Sequence, residues 1–167
     1  MARRYVMATR EDGLSDVIID DTVAEGAVVD LWINHETPAD ITQHTDPTKA
    51  LPDHEPPYGG AIFRVVTFTK EMNAVTPEMA VAMHQELKSV HVPTLDYLRA
   101  AKHPSMHKTD TLNYFVCVSG RIWALSEDKD VLLEPGDYII QHGCMHGWRV
   151  ESDEPALIAA VLIDAKV

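Results

Sequence analysis

The sequence predicts a mainly β fold: hairpins stacked into a small barrel, with one or two short helices. Three observations carry that prediction. From Met106 onward, short apolar runs alternate with compact turn signals at hairpin spacing. Val116-Cys117-Val118 is followed by Ser119-Gly120, Val131-Leu132-Leu133 by Glu134-Pro135-Gly136-Asp137, and Trp148-Arg149-Val150 by Glu151-Ser152-Asp153-Glu154-Pro155. Only one stretch, opening at Thr76-Pro77-Glu78, has clear helical character. A histidine stands near each end of the hairpin region, His107 and His146, and a barrel brings the two together inside it.

Taken in order, Arg4–Thr9 and Asp16–Asp20 read as strands joined by a turn at Asp12-Gly13. Glu25-Gly26 turns the chain into Ala27–Ile33, whose β-branched and aromatic residues favour a strand. Residues 37–60 carry Pro38, Pro47, Pro52, Pro56, Pro57, Gly59 and Gly60. That density forbids regular structure and predicts a long surface excursion, with His44 and His54 solvated. Ala61–Thr69 follows as a strand with Ile62, Phe63, Val65, Val66 and Phe68 as its apolar residues.

In the helix, Thr76 can cap free backbone N–H groups and Pro77 suits the first helical position. Met79, Val81, Ala82, Met83, Leu87 and Val90 give a partial apolar stripe, with His84, Gln85, Glu86 and Lys88 largely off it. Such a stripe packs a helix against the outside of the barrel; a lid or a dimer arm is the functional alternative. Pro93 ends it, and Thr94–Lys102 reads as a short second helix. Tyr114–Leu125 reads as one long or bent strand, followed by strands at Val131–Leu133, Tyr138–Gln141, Trp148–Val150 and Ala156–Ile163. Nothing marks a domain boundary. Residues 1–167 are expected to form a single domain: a core barrel at about 61–70 and 104–165, N-terminal strands and a wrapping loop over 1–60, and a helical insertion at 76–102.

The chain is 46% hydrophobic and 24% charged, ordinary for a globular protein. Its 26 acidic residues against 14 basic give a formal charge of −12, and Arg3-Arg4 is an isolated basic pair. This balance argues against phosphate-backbone binding, so no nucleic-acid partner is expected. The longest apolar run, Ala156–Ile163, falls far short of the roughly 20 residues of a spanning helix, so no membrane partner is expected. Two cysteines, Cys117 and Cys144, do not make a disulfide framework. A cytoplasmic, reducing setting is the default, with each Cys a small buried hydrophobe. No Ser/His/Asp set, phosphate-cradling Gly-rich loop or Cys-x-x-Cys pair supports nucleotide or thiol-redox chemistry.

His107-Lys108-Thr109-Asp110-Thr111-Leu112-Asn113-Tyr114, running on to Gly120, and Gly136 through Gly143 to His146, resemble the two-motif signature of the cupin superfamily. More closely they are similar to small single-domain cupin-2 type proteins of bacteria and fungi, most without an assigned activity. The resemblance extends more weakly to Trp32–Asp40 and Phe63–Val66. It implies a double-stranded β-helix, or jelly-roll, barrel. The first motif usually reads His-x-His, then Glu, then Gly; here Thr109 takes the second His place and Asn113 the Glu place. In the second motif Gln141 stands where Pro is usual and Val150 where Asn is usual.

Strand residues two apart share a face, so His107, Thr109, Thr111, Asn113, Phe115 and Cys117 lie together, opposite Lys108, Asp110, Leu112 and Tyr114. The resemblance turns the first set inward. A metal-binding cupin would hold its ion on two His and a Glu of the first motif and a His of the second. Here that leaves His107, His146 and the Asn113 amide, a reduced set for zinc, iron or manganese. The metal-free alternative makes His107 and His146 hydrogen-bonding or general acid and base groups in a small-molecule pocket. Thr109, Asn113, Phe115 and Trp148 are its expected lining, although core packing is the simpler role for Trp148 and Trp123. The expected function is binding of a small organic molecule, carboxylated ones included. It carries either a metal-assisted lyase, decarboxylase or isomerase step, or no catalysis at all. A homodimer is expected by fold analogy.

Overall fold

The alternation of the C-terminal half becomes two antiparallel sheets closed face to face. The computed structural model describes residues 2–42, 44–48 and 51–167, so residues 43, 49 and 50 of the proline-rich excursion lie outside the described ones. Among the described residues the strands are β1 (Arg3–Thr9), β2 (Ser15–Thr22), β3 (Val28–Asn34), β4 (Ala61–Phe68), β5 (Thr111–Ser119), β6 (Ile122–Leu125), β7 (Val131–Leu133), β8 (Tyr138–His142), β9 (Gly147–Val150) and β10 (Ala156–Asp164). Helices α1 (Pro77–Glu86) and α2 (Leu95–Ala100) lie between β4 and β5, preceded by a 3₁₀ turn at Lys70–Ala74. One sheet has the order β3-β4-β10-β5-β8 and the other β7-β6-β9, while β1 and β2 pair with each other as a separate ribbon. The architecture is the mainly β, jelly-roll type expected.

The facing sheets bury Phe115, Cys117, Ile122, Ala124, Leu133, Val150, Ala156, Ile158, Ala160 and Leu162 as one cluster. The inward set expected along β5 is the buried set: His107, Thr109, Thr111, Asn113, Phe115 and Cys117 are buried, while Lys108, Asp110, Leu112 and Tyr114 are not. Tyr114–Leu125 is two strands, not one. Gly120, at φ 70°, breaks the run and passes the chain from the larger sheet to the smaller. A Cβ there would stand 2.6 Å from the Pro155 carbonyl oxygen and 2.7 Å from Ala156 Cα, so both conformation and space demand glycine.

Two further expectations are corrected by side-chain direction. Trp123 is not a core aromatic: it alternates outward between buried Ile122 and Ala124. Its indole donates to Glu151 at 2.8 Å beneath the Arg149 guanidinium. Cys117 is buried, but Cys144, beyond the end of β8, is exposed. No helix among the described residues is long and apolar enough to cross a membrane.

Candidate functional site

The two sequence motifs meet through backbone. His107 N–H donates to His146 O at 2.7 Å and His146 N–H to His107 O at 2.9 Å, an isolated antiparallel bridge. Gly147 lets the second segment approach, since a Cβ there would stand 2.7 Å from Ser105 Oγ. The imidazoles of His107 and His146 are then 4.3 Å apart, centroid to centroid. Each holds its ring through Nδ1, donating to a backbone carbonyl two residues earlier: Ser105 O at 2.8 Å and Cys144 O at 2.9 Å. That bond leaves each Nε2 to face other groups.

Helix α1 supplies a third imidazole. Thr76 Oγ1 accepts from Met79 N–H and starts the helix as expected. The helix stops before Pro93 because Lys88 adopts the left-handed conformation, at φ 54°. Ser89 N–H then reaches back to His84 O at 2.9 Å and Lys88 N–H to Gln85 O at 3.1 Å, a Schellman closure. This closure brings the Ser89 hydroxyl to His84 Nδ1, at 2.9 Å, and on its other side to His54 Nδ1, at 2.8 Å.

His54 and His84 are the residues that sequence reasoning missed. His54 is not solvated: its backbone N–H donates to Leu87 O at 2.8 Å, and its carbonyl accepts from Arg64 Nη1 at 3.2 Å. His84 is not off the packed face: it is wholly buried, while Met79 and Met83 are partly exposed. A signal for His84 existed. Positions 80, 83, 84 and 87 recur at i, i+3, i+4 and i+7, a helical stripe once the histidine is counted as inward. His54 lies in a loop with no period to reveal it.

These residues line a cavity of about 360 Å³. Val66, Phe68, Phe115, Ile158, Ala160 and Leu162 form its strand wall, and Met79, Ala80 and Met83 of α1, with Leu87 just past its end, line it too. The helix therefore covers the barrel interior instead of packing on its outside. Thr109, Asn113, Phe115 and Trp148, the four expected lining residues, are all there. Trp148 stands edge-on to Phe115, with centroids 5.3 Å apart, and packs against the core cluster. An outer groove of about 730 Å³ beside the β1–β2 ribbon is larger. The interior cavity is the candidate site because buried polar atoms without partners sit on it: Asn113 Oδ1 and His84 Nε2.

Burial pushes His84 and His146 down to about 4 and His107 well below the ordinary histidine value, with neighbouring imidazoles adding to the effect on His84 and His107. At neutral pH the three are uncharged, suited to hydrogen bonding or to binding a cation through a lone pair. Arg64, almost fully buried, pairs with Asp30 at 2.9 Å and also donates to Asp53 O at 2.7 Å, fixing the loop that carries His54.

The metal set of the cupin resemblance does not fit. Thr109 Oγ1 is engaged with Thr111 Oγ1 at 2.7 Å, and Asn113 is a neutral amide where a carboxylate is needed. Asn113 and its cross-strand neighbour Gln141 are both buried with side-chain oxygens unpaired, so this wall offers hydrogen bonds and no charge.

Among known proteins, no family model matches the chain and no curated protein matches it. Solved structures do. The cupin domain of Schizosaccharomyces pombe Cnp3 is 9% identical with a TM-score of 0.48, covering 98% of this chain and 88% of that one. A cupin-2 domain protein of Shewanella frigidimarina NCIMB 400 is 14% identical with a TM-score of 0.36, covering 60% and 68%. A putative ethanolamine utilization protein Q of Salmonella typhimurium LT2 is 9% identical with a TM-score of 0.39, covering 99% and 98%. These are likenesses to cupin-type folds, and no activity or ligand is taken from them.

Proposed function

We propose that the barrel binds a small, largely apolar organic molecule, with its hydrogen-bonding head at Asn113, His84, His107 and His146 and its body against Phe68, Phe115 and Ile158. One observation carries this: the cavity is walled by apolar side chains and meets Asn113 Oδ1 and His84 Nε2, both buried without a partner. Burying such atoms unpaired costs about 1–3 kcal/mol each, a penalty that a ligand's hydroxyl, amide or carboxyl group removes. The cavity volume suits a compact ligand, at the small end of the roughly 300–1,000 Å³ usual for such sites.

The test is a fragment panel of small apolar alcohols, amides and carboxylic acids, followed by protein-observed NMR on the parent and on Ala160→Leu. Ala160 is buried and lines the cavity, so leucine fills it. Binding by the parent that weakens at least tenfold in the variant supports the reading. A panel that binds neither protein, or binds both equally, overturns it. Lyase, decarboxylase or isomerase turnover is the second reading, favoured by the closeness of His107 and His146, 4.3 Å between ring centroids. It requires a product to appear from a bound fragment and to be lost in His146→Gln.

A further inference from the structure

We propose that the cavity selects a guest whose head is a neutral hydroxyl or primary amide, and that it rejects carboxylate, ether and ammonium heads. The inference rests on the binding reading above and adds the chemistry of the head group. The placement of protons on the imidazoles that line the cavity carries it.

His107 and His146 are fixed as acceptors. Each spends its Nδ1–H on a backbone carbonyl, Ser105 O at 2.8 Å and Cys144 O at 2.9 Å. A neutral imidazole carries one N–H, so both Nε2 atoms hold lone pairs. The two rings are neighbours on the cavity wall, 4.3 Å between centroids. Asn113 Oδ1, buried without a partner, adds a third acceptor.

His84 has the opposite polarity. Its Nδ1 lies 2.9 Å from Ser89 Oγ, and the same oxygen lies 2.8 Å from His54 Nδ1. One hydroxyl proton serves only one of these nitrogens, so at least one ring donates to the oxygen. Glu55 decides which. One of its carboxylate oxygens accepts from Val90 N–H at 3.0 Å, and the other stands 3.4 Å from His54 Nδ1. An acceptor beside a ring nitrogen favours the proton on that nitrogen. His54 therefore donates to Ser89, Ser89 donates to His84, and the His84 proton sits on Nε2, which is buried at the cavity without a partner.

A guest's head thus meets two imidazole lone pairs, an amide oxygen and one N–H. A hydroxyl or a primary amide both donates and accepts, and matches this set. An ether only accepts. A carboxylate only accepts and brings negative charge, while an ammonium only donates and brings positive charge. Among the described lining residues Arg64 is the one lysine or arginine, and its guanidinium is committed to Asp30, Asp53 O and His54 O. Glu71, the one carboxylate among them, is exposed. Either ion would be buried without a counter-charge, which costs far more than burying its neutral isostere.

The test measures dissociation constants at pH 7.5 on the full chain for five probes with one body: para-propylphenol, its methyl ether, para-propylbenzamide, para-propylbenzoate and para-propylbenzylammonium. The phenol is expected to bind at least about tenfold tighter than the ether, and the benzamide at least about tenfold tighter than the isosteric benzoate and than the ammonium. Asn113→Leu is expected to narrow the phenol-to-ether ratio several-fold, a readout that lost packing, which weakens both compounds, leaves unchanged. Long-range proton–nitrogen NMR of the labelled, unliganded protein, with rings assigned through single His→Gln variants, is expected to give Nδ1–H forms for His107 and His146 and the Nε2–H form for His84. The opposite form at any of the three overturns the proposal, whatever the probes do. So does an ether that binds as tightly as the phenol, an ion that binds as tightly as the benzamide, or an unchanged ratio in folded Asn113→Leu; in each of these the binding reading still stands. If none of the five binds, the binding reading fails and this inference falls with it.

Discussion

Arg64 offers the sharpest test of how the site is held. Its guanidinium is 4% exposed and makes three bonds: to Asp30 at 2.9 Å, to Asp53 O at 2.7 Å and to His54 O at 3.2 Å. Burial pulls it below its ordinary arginine value while Asp30 pushes back. Replacing Arg64 by Met removes the two carbonyl contacts, worth about 1–2 kcal/mol each, and leaves the buried Asp30 carboxylate without its guanidinium. Breaking a buried pair from one side costs about 3–5 kcal/mol in general, and a loss of about 4 kcal/mol is expected here. Part of it is the carboxylate's lost ion pair, so Asp30→Asn in the Arg64→Met background should return about 2 kcal/mol. Urea unfolding at pH 7.5 of the parent, both single variants and the double variant gives the cycle directly. If the double variant is no more stable than Arg64→Met alone, the carboxylate was not the source of the cost and the reasoning fails.

Three other outcomes follow from the same structure. In metal-free protein, unfolding free energy should fall as pH drops from about 6.5 to 4. The unfolded chain takes up protons near the ordinary histidine value, whereas the folded chain holds His84 and His146 neutral down to about 4. For His146 the full loss is about 3 kcal/mol, and urea midpoints that stay level across that window would refute it. The paired carboxylates Asp46 and Asp110, lowered by Arg4 and His91, add their own loss only below the ordinary carboxylate value. Gly120→Ala should destabilise by about 3 kcal/mol, combining the left-handed φ with backbone overlap at Pro155 and Ala156; a melting temperature within a degree of the parent would contradict that. Thr76→Ala should cost about 1 kcal/mol by freeing the Met79 N–H, read as a lower urea midpoint with an unchanged slope.

Much of the barrel was legible because its signals are local. Turn residues such as Pro135-Gly136-Asp137 and the two-residue alternation from His107 to Cys117 do not depend on distant parts of the chain. Half of the site was legible for the same reason, since His107 and His146 close the two ends of one hairpin region. The other half was not. His54 becomes an interior residue because Leu87 O and Arg64 hold its backbone, one partner beyond helix α1 and the other on the next strand, and neither contact leaves a local sequence signal. His84 was hidden by treating imidazole as polar along a helix whose inward positions are Ala80, His84 and Leu87. Trp123 misled in the opposite sense: its size suggested core, but the parity of its strand placed it outside.

Helix α1 covers the cavity with methionines. Met79 and Met83 stand opposite a strand wall of Phe68, Phe115 and Ile158, with Met72 from the 3₁₀ turn beside them. Unbranched thioethers reshape at small energetic cost, whereas aromatic and β-branched side chains fixed in a sheet do not. The chamber thus has one hard wall and one compliant one. On the proposed binding reading, a guest's polar head would meet fixed partners at Asn113 and the imidazoles, while its body would meet a surface that yields. If the proposed binding holds, discrimination should be steep for the head group and shallow for the length and shape of the tail, so a ligand search gains more from varying functional groups than from varying carbon skeletons.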